Sequence, residues 1–114
     1  MTPARDALLA QVRRGTLEFC VLALLREREE YAFELVRSLG AVEALATSEG
    51  TIYPLLARLR RDGLVSSSWR ESPTGPPRRY YQLTPAGTEA LAAFRREWLQ
   101  FRDAVDSMIL GSET

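Results

Sequence analysis

The sequence predicts a mainly α-helical chain with one small β-hairpin, a winged helix-turn-helix that carries a long C-terminal helix. Three observations point there. Apolar residues recur at helical spacing in successive segments before residue 63. The period then switches to alternation on either side of a Pro/Gly-rich turn. From residue 85 a helical repeat resumes and runs without a break to about residue 110.

Each element has its own signals. Residues 4–13 form a short helix with Ala4, Leu8 and Val12 on one face, and Gly15 breaks it. Thr16 caps a helix from Leu17 to about Arg28 whose apolar face is Leu17, Val21, Leu24 and Leu25, with Cys20 within it as a small buried hydrophobe. After the charged turn Arg26–Glu30, a helix from about Tyr31 to Leu39 repeats Tyr31, Leu35 and Leu39 and stops at Gly40, and residues 41–47 are a loop or ragged turn. The next helix starts at Thr47 or Ser48, reaches Arg61 or Asp62, and turns Ile52, Leu55, Leu56 and Leu59 to the core before Gly63 ends it. Val65–Glu71 reads as a strand with Val65 and Trp69 on one face. Ser72–Pro77 is turn chemistry, and Arg78–Thr84 is a second strand with Tyr81 and Leu83 together. Thr84 caps the last helix and Pro85 suits its first position. The organisation expected is a DNA-binding winged unit over residues 1–84, a dimerisation helix over 85–110 and a tail over 111–114.

Bulk composition narrows the function. A chain of 114 residues holds one domain, and its 46% hydrophobic and 26% charged residues are those of a globular protein. No apolar run approaches the ~18 residues of a membrane span, and Met1–Asp6 lacks the order of a secretory signal, so a cytoplasmic chain is expected. The sequence contains no His and only one cysteine, Cys20. That rules out an internal disulfide and a Cys/His zinc site within one subunit, and it removes imidazole from any acid–base chemistry. Phosphate-loop, nucleophile-elbow and His-Glu-x-x-His patterns are missing too, so neither an enzyme nor a cofactor is expected.

The net charge is zero, but its distribution is uneven. Residues 48–84 carry six arginines against Glu49, Asp62 and Glu71, whereas the flanking segments are net acidic. The positive segment coincides with the last short helix and the hairpin, the parts of a winged helix-turn-helix that meet DNA. On that helix, Ser48, Glu49, Gly50, Thr51, Tyr53, Pro54, Arg58 and Arg61 fall outside the core set. Small and flat groups at a helix start approach base edges, while guanidinium groups reach guanine edges or phosphates. Pro54 deletes the helical bond to Gly50, which predicts a slightly opened helix start whose free amides face a phosphate. On the hairpin, Arg70, Arg78, Arg79 and Tyr80 can follow a phosphate backbone or a minor groove.

In the last helix, Leu91, Phe94, Trp98, Phe101, Val105 and Met108 repeat at spacings of 3, 4, 3, 4 and 3, a coiled-coil seam. Leu91 and Phe94 can also pack on the winged core. The remainder has little of its own chain to cover it and calls for a second subunit, with Leu8 and Val12 of the first helix as a further contact. Two recognition helices about one DNA turn apart, ~34 Å, match an inverted-repeat operator. A twofold axis near Trp98 brings two indoles together. They either sandwich a planar aromatic effector or pack into the interface.

These stretches also resemble the PadR family of bacterial transcriptional regulators. The likeness lies in Arg14-Gly15-Thr16-Leu17-Glu18, Tyr31-Ala32-Phe33-Glu34-Leu35, Ser48 to Leu59 with its Gly-Thr-Ile-Tyr-Pro block, Asp62-Gly63-Leu64-Val65, and Gly75 to Thr84 with its Arg-Arg-Tyr-Tyr block. The resemblance implies a winged-helix homodimer, usually a repressor released by a small molecule. The single C-terminal helix is similar to the short-chain branch of the family. In multidrug-binding members of that branch a tryptophan at the position of Trp98 lines a pore at the dimer interface. A winged-helix protein-interaction module and a metal-sensing regulator are the alternative readings, the second weakened by the absence of histidine.

Overall fold

The computed structural model describes residues 3–111. In chain order they form α1 (Pro3–Arg13), α2 (Leu17–Glu27), β1 (Glu30–Tyr31), α3 (Ala32–Gly40), a 3-10 turn at Glu43–Leu45, α4 (Glu49–Arg61), β2 (Val65–Ser72), β3 (Gly75–Leu83) and α5 (Pro85–Leu110). Of the expected tail, residues 112–114 lie outside the described residues.

Helical spacing places one face of each of three helices in a common core. Val21, Leu22 and Leu25 come from α2, Leu35 and Leu39 from α3, and Ile52, Leu56 and Leu59 from α4. Val65, Tyr81 and Leu91 close it from the sheet and from α5. Leu24, Leu55 and Leu83 pack at its edge, as does Cys20, whose thiol pKa is pushed up by burial.

The strands are antiparallel in the order β1-β3-β2. β1 is a departure from the sequence reading, because Tyr31 does not begin α3. Its backbone is extended, it pairs with Tyr80, and the Glu34 carboxylate accepts its N–H at 3.2 Å. Two residues are too few for an alternating pattern, so nothing in the sequence distinguished this strand from a helix start. The hairpin turn is also tighter than expected. The strands continue to Ser72 and resume at Gly75, with an irregularity between Arg70 and Ser72 absorbing the mismatch. Thr16 likewise does not cap α2 through its side chain. Its hydroxyl turns back and donates to the Arg13 carbonyl at 2.9 Å, closing the end of α1.

A compact junction joins α4, the sheet and α5. Gly63 adopts φ +77°, a conformation costly for residues with a Cβ, and reverses the chain after α4. Its N–H donates to Arg60 O at 3.0 Å and that of Leu64 to Leu59 O at 2.9 Å, a Schellman ending. Thr84 then ties both sides. Its hydroxyl donates to Gly63 O at 2.7 Å and accepts from the Gly87 N–H at 3.0 Å, while its own N–H donates to Leu64 O at 3.1 Å. Gly87 sits so close that a Cβ there would overlap the Leu64 carbonyl oxygen and the Leu83 side chain. The expected Thr84 cap and Pro85 helix start are both present.

Candidate nucleic-acid interface

Burial of Ile52, Leu56 and Leu59 fixes the rotation of α4 about its axis. The opposite side therefore presents Ser48, Glu49, Gly50, Thr51, Tyr53, Pro54 and Arg61 to solvent, with Tyr53 54% exposed. Arg60, absent from the sequence-derived set, is exposed beside Arg61 and adds a second guanidinium to this end. Ser48 is the N-cap in an extended conformation, and its hydroxyl makes no cap bond to the backbone, so the first amides of α4 are left without that partner. The helix runs unbroken through Pro54.

Arg58 departs from the expected outward projection. It lies on the flank of α4 beside α2, where its Nη1 is 3.4 Å from Glu18 Oε2 and 3.9 Å from Asp62 Oδ2. Position 58 is one step round the helix from Leu55, close enough to the packed side for its side chain to reach α2 rather than solvent. The pair is partly exposed, and such pairs contribute at most about 1 kcal/mol. Exchange of Glu18 for a phosphate is therefore inexpensive.

The two-residue alternation of the hairpin sorts the wing arginines onto opposite faces. Arg78, Tyr80 and Arg70 share the face away from the core, where Arg78 lies 4.6 Å over the Tyr31 ring and Arg70 lies 4.7 Å over Tyr80. Arg70 is also paired with Glu29. Tyr80, expected to contact DNA directly, is half-buried edge-on to Tyr31 at 5.2 Å and serves as a platform for Arg70. On the other face, Arg79 lies 5.0 Å over the Trp69 ring. Stacking of this kind orders a guanidinium while leaving its charge available.

Helix α5 divides the residues of its repeat. Leu91 is 5% exposed within this one chain and belongs to the core, so it has almost no surface to offer a seam. Phe94 stacks on Phe19 of α2, with ring centroids 4.0 Å apart, and Trp98 stacks on Phe94 at 5.3 Å. Phe19 was invisible as a partner because it lies off the face that α2 turns to the core. From Leu99 to Leu110 every residue is exposed, including Phe101, Val105 and Met108. Leu8 and Val12 are exposed as well, and α1 buries none of its residues. A groove of about 380 Å³ beside Trp98 is bounded by Thr16, Phe94, Glu97 and Phe101.

Residues 21–93, spanning α2 to the first third of α5, match the Transcriptional regulator PadR-like family. The chain belongs to the PadR family. Transcriptional regulator Rv3488 of Mycobacterium tuberculosis is 34% identical to it over 88 residues, 77% of this chain and 80% of the relative. Crystal structures show the same fold. A PadR family transcriptional regulator from Eggerthella lenta DSM 2243 is 33% identical, with 93% of this chain and 92% of the other covered and a TM-score of 0.81. A PadR-like transcriptional regulator from Bacillus cereus is 34% identical over 90% of this chain and 99% of the other, with a TM-score of 0.77. This PadR protein is thus a transcriptional regulator on a winged-helix fold, and none of its described helices is long and apolar enough to cross a membrane.

Proposed function

We propose that this PadR-family regulator is a repressor that binds an inverted-repeat operator as a homodimer and is released by a small planar aromatic molecule. Residues 1–84 form the DNA-binding unit and 85–110 the dimerisation helix. The observation that carries the reading is the solvent face of α4, where small and flat groups at the start are followed by Arg60 and Arg61, with stacked wing arginines on the adjoining hairpin. Thr51, Tyr53 and Pro54 meet base edges. Arg61 and Arg58 reach bases or phosphates, and Arg78 and Arg79 take phosphates.

Dimerisation is supported by the bare distal half of α5, where twelve successive exposed residues include Phe101, which is 62% exposed. A second copy covers this stripe together with Leu8 and Val12. The effector reading rests on Trp98, which stacks on Phe94 and through it on Phe19. Phe19 adjoins Glu18, the residue that pairs with Arg58 on α4. A planar ligand against Trp98 thus perturbs α2, and it releases DNA by favouring a spacing of recognition helices that the operator rejects.

A salt-dependent gel shift on the chain's own upstream region tests the DNA reading. Binding is expected to weaken steeply as salt rises, with a slope of about 0.9 per phosphate neutralised, and to exceed binding to an unrelated duplex. Failure to bind either duplex would turn the reading to a protein-interaction module. Titrating the protein with planar cationic dyes, with Trp98→Ala as control, tests the effector site. Equal dye binding by both proteins would leave Trp98 as a packing residue.

A further inference from the structure

Trp69 is 64% exposed although it stands on the same strand face as Val65, which is 2% exposed. The four-residue advance carries β2 past the edge of the core, so alternation still places Trp69 on the inner face but nothing packs there to bury it. Trp69 is directly opposite Arg79 on β3, and the Arg79 guanidinium lies over its ring. One side of the indole is therefore covered by a cation and the other is open. The Arg79 Nε is buried without a hydrogen-bond partner, so the donor capacity of this guanidinium is unmet within the chain.

The surroundings indicate the chemistry of the partner. Arg70 and Arg78 form the next cross-strand pair towards the tip, and Glu71 is the one acid in the outer part of the wing. Pro73, Pro76 and Pro77 narrow the conformational freedom of that tip. A single ring among arginines, hydroxyls and prolines lacks the broad apolar patch that a protein partner would require. It suits a polyanion with flat apolar units between its charges.

We propose that Trp69 and Arg79 together form a contact for the sugar–phosphate wall of duplex DNA. The open face of the indole lies against deoxyribose, its Nε1–H donates to a phosphate oxygen, and Arg79 supplies the charge. The proposal rests on the DNA-binding reading above and adds to it an uncharged contact that does not release counterions.

The test uses the full chain labelled with 5-fluorotryptophan, whose two resonances are assigned with Trp69→Phe. A mixed-sequence duplex of about three helical turns is added, and its binding is followed in parallel by anisotropy across a salt series. The Trp69 resonance is expected to shift on addition of duplex. Trp69→Ala is expected to weaken binding by about fivefold or more, the lower end of the range for losing one aromatic stacked on a nucleic-acid base, with the salt slope unchanged. Arg79→Ala is expected to make that slope shallower by about one unit. Trp69→Phe, which keeps a flat ring, is expected to retain most of the affinity. Duplex binding with an unmoved Trp69 resonance and full affinity in Trp69→Ala overturns this contact and leaves the DNA reading intact. Loss of a slope unit in Trp69→Ala also overturns it, showing that the indole only supports Arg79. A wild-type chain that binds no duplex overturns both.

Discussion

The two halves of α5 carry one apolar repeat and have opposite fates. In the proximal half, Gly87 lies against the Leu64 carbonyl, Leu91 enters the core and Phe94 stacks on Phe19. In the distal half, the same spacing delivers Phe101, Val105 and Met108 to open solvent. A regular stripe therefore identifies which side of a helix is apolar but not which body covers it. That depends on how far the rest of the chain extends beneath the helix, and here the support ends at Trp98.

The largest effect that would sharpen this contrast is at the proximal end. Gly87→Ala places a methyl group where backbone already stands, and it is expected to lower stability by about 3 kcal/mol. Chemical denaturation checks this, and a near-neutral result would show that the α5 origin can shift without cost. Phe101→Asp acts on the distal half alone. It is expected to preserve helical circular dichroism while raising the dissociation constant of the proposed dimer by about a hundredfold or more, because a charge enters the proposed seam with no partner. Sedimentation equilibrium is the measurement, and a mutant that stays dimeric at micromolar concentration would place the seam elsewhere.

Smaller changes refine the same boundary. Thr84→Ala removes the Gly87 cap and the bond to Gly63 O, and it is expected to cost about 1–2 kcal/mol in thermal or urea unfolding. Met108→Ser, at a residue 86% exposed in the single chain, is expected to leave monomer stability unchanged and to weaken the proposed dimer by about 1 kcal/mol. If Met108→Ser unfolds the protein, the distal half contributes to the fold after all and the two-part view of α5 fails.

Much of the fold was legible because its signals are local or periodic. The core side of α4, the stop at Gly63 and the Thr84-Pro85 helix start followed from spacing and cap chemistry, and so did Leu17, Val21 and Leu25 of α2. The fully buried Leu22, by contrast, lay outside the expected face, and Leu24 reaches only the core's edge. What escaped were contacts between residues distant in sequence. β1 exists only because Tyr31 meets Tyr80, and Phe19 gains its meaning only from Phe94. The candidate interface shows the same division. The solvent face of α4 follows from its period, but whether Arg58 points outward depends on Glu18, forty residues earlier. Trp69 illustrates the limit of alternation, which assigns a face correctly and says nothing about where the core beneath it ends.

The junction at Thr84 has a mechanical consequence. With 26 residues, α5 is about 39 Å long at a rise of ~1.5 Å per residue, and its first turn is fastened to the chain reversal that ends α4. A tilt of about 5° at that fastening displaces the far tip by roughly 3 Å for a rod of this length. In the opposite direction the arm behaves as a reduction gear, converting a displacement of several ångströms at the tip into a rotation of a few degrees at α4. Small angular adjustments of the proposed DNA-reading surface are thus linked to large, easily resisted excursions at the end of α5, and whatever clamps that end also governs the orientation of α4.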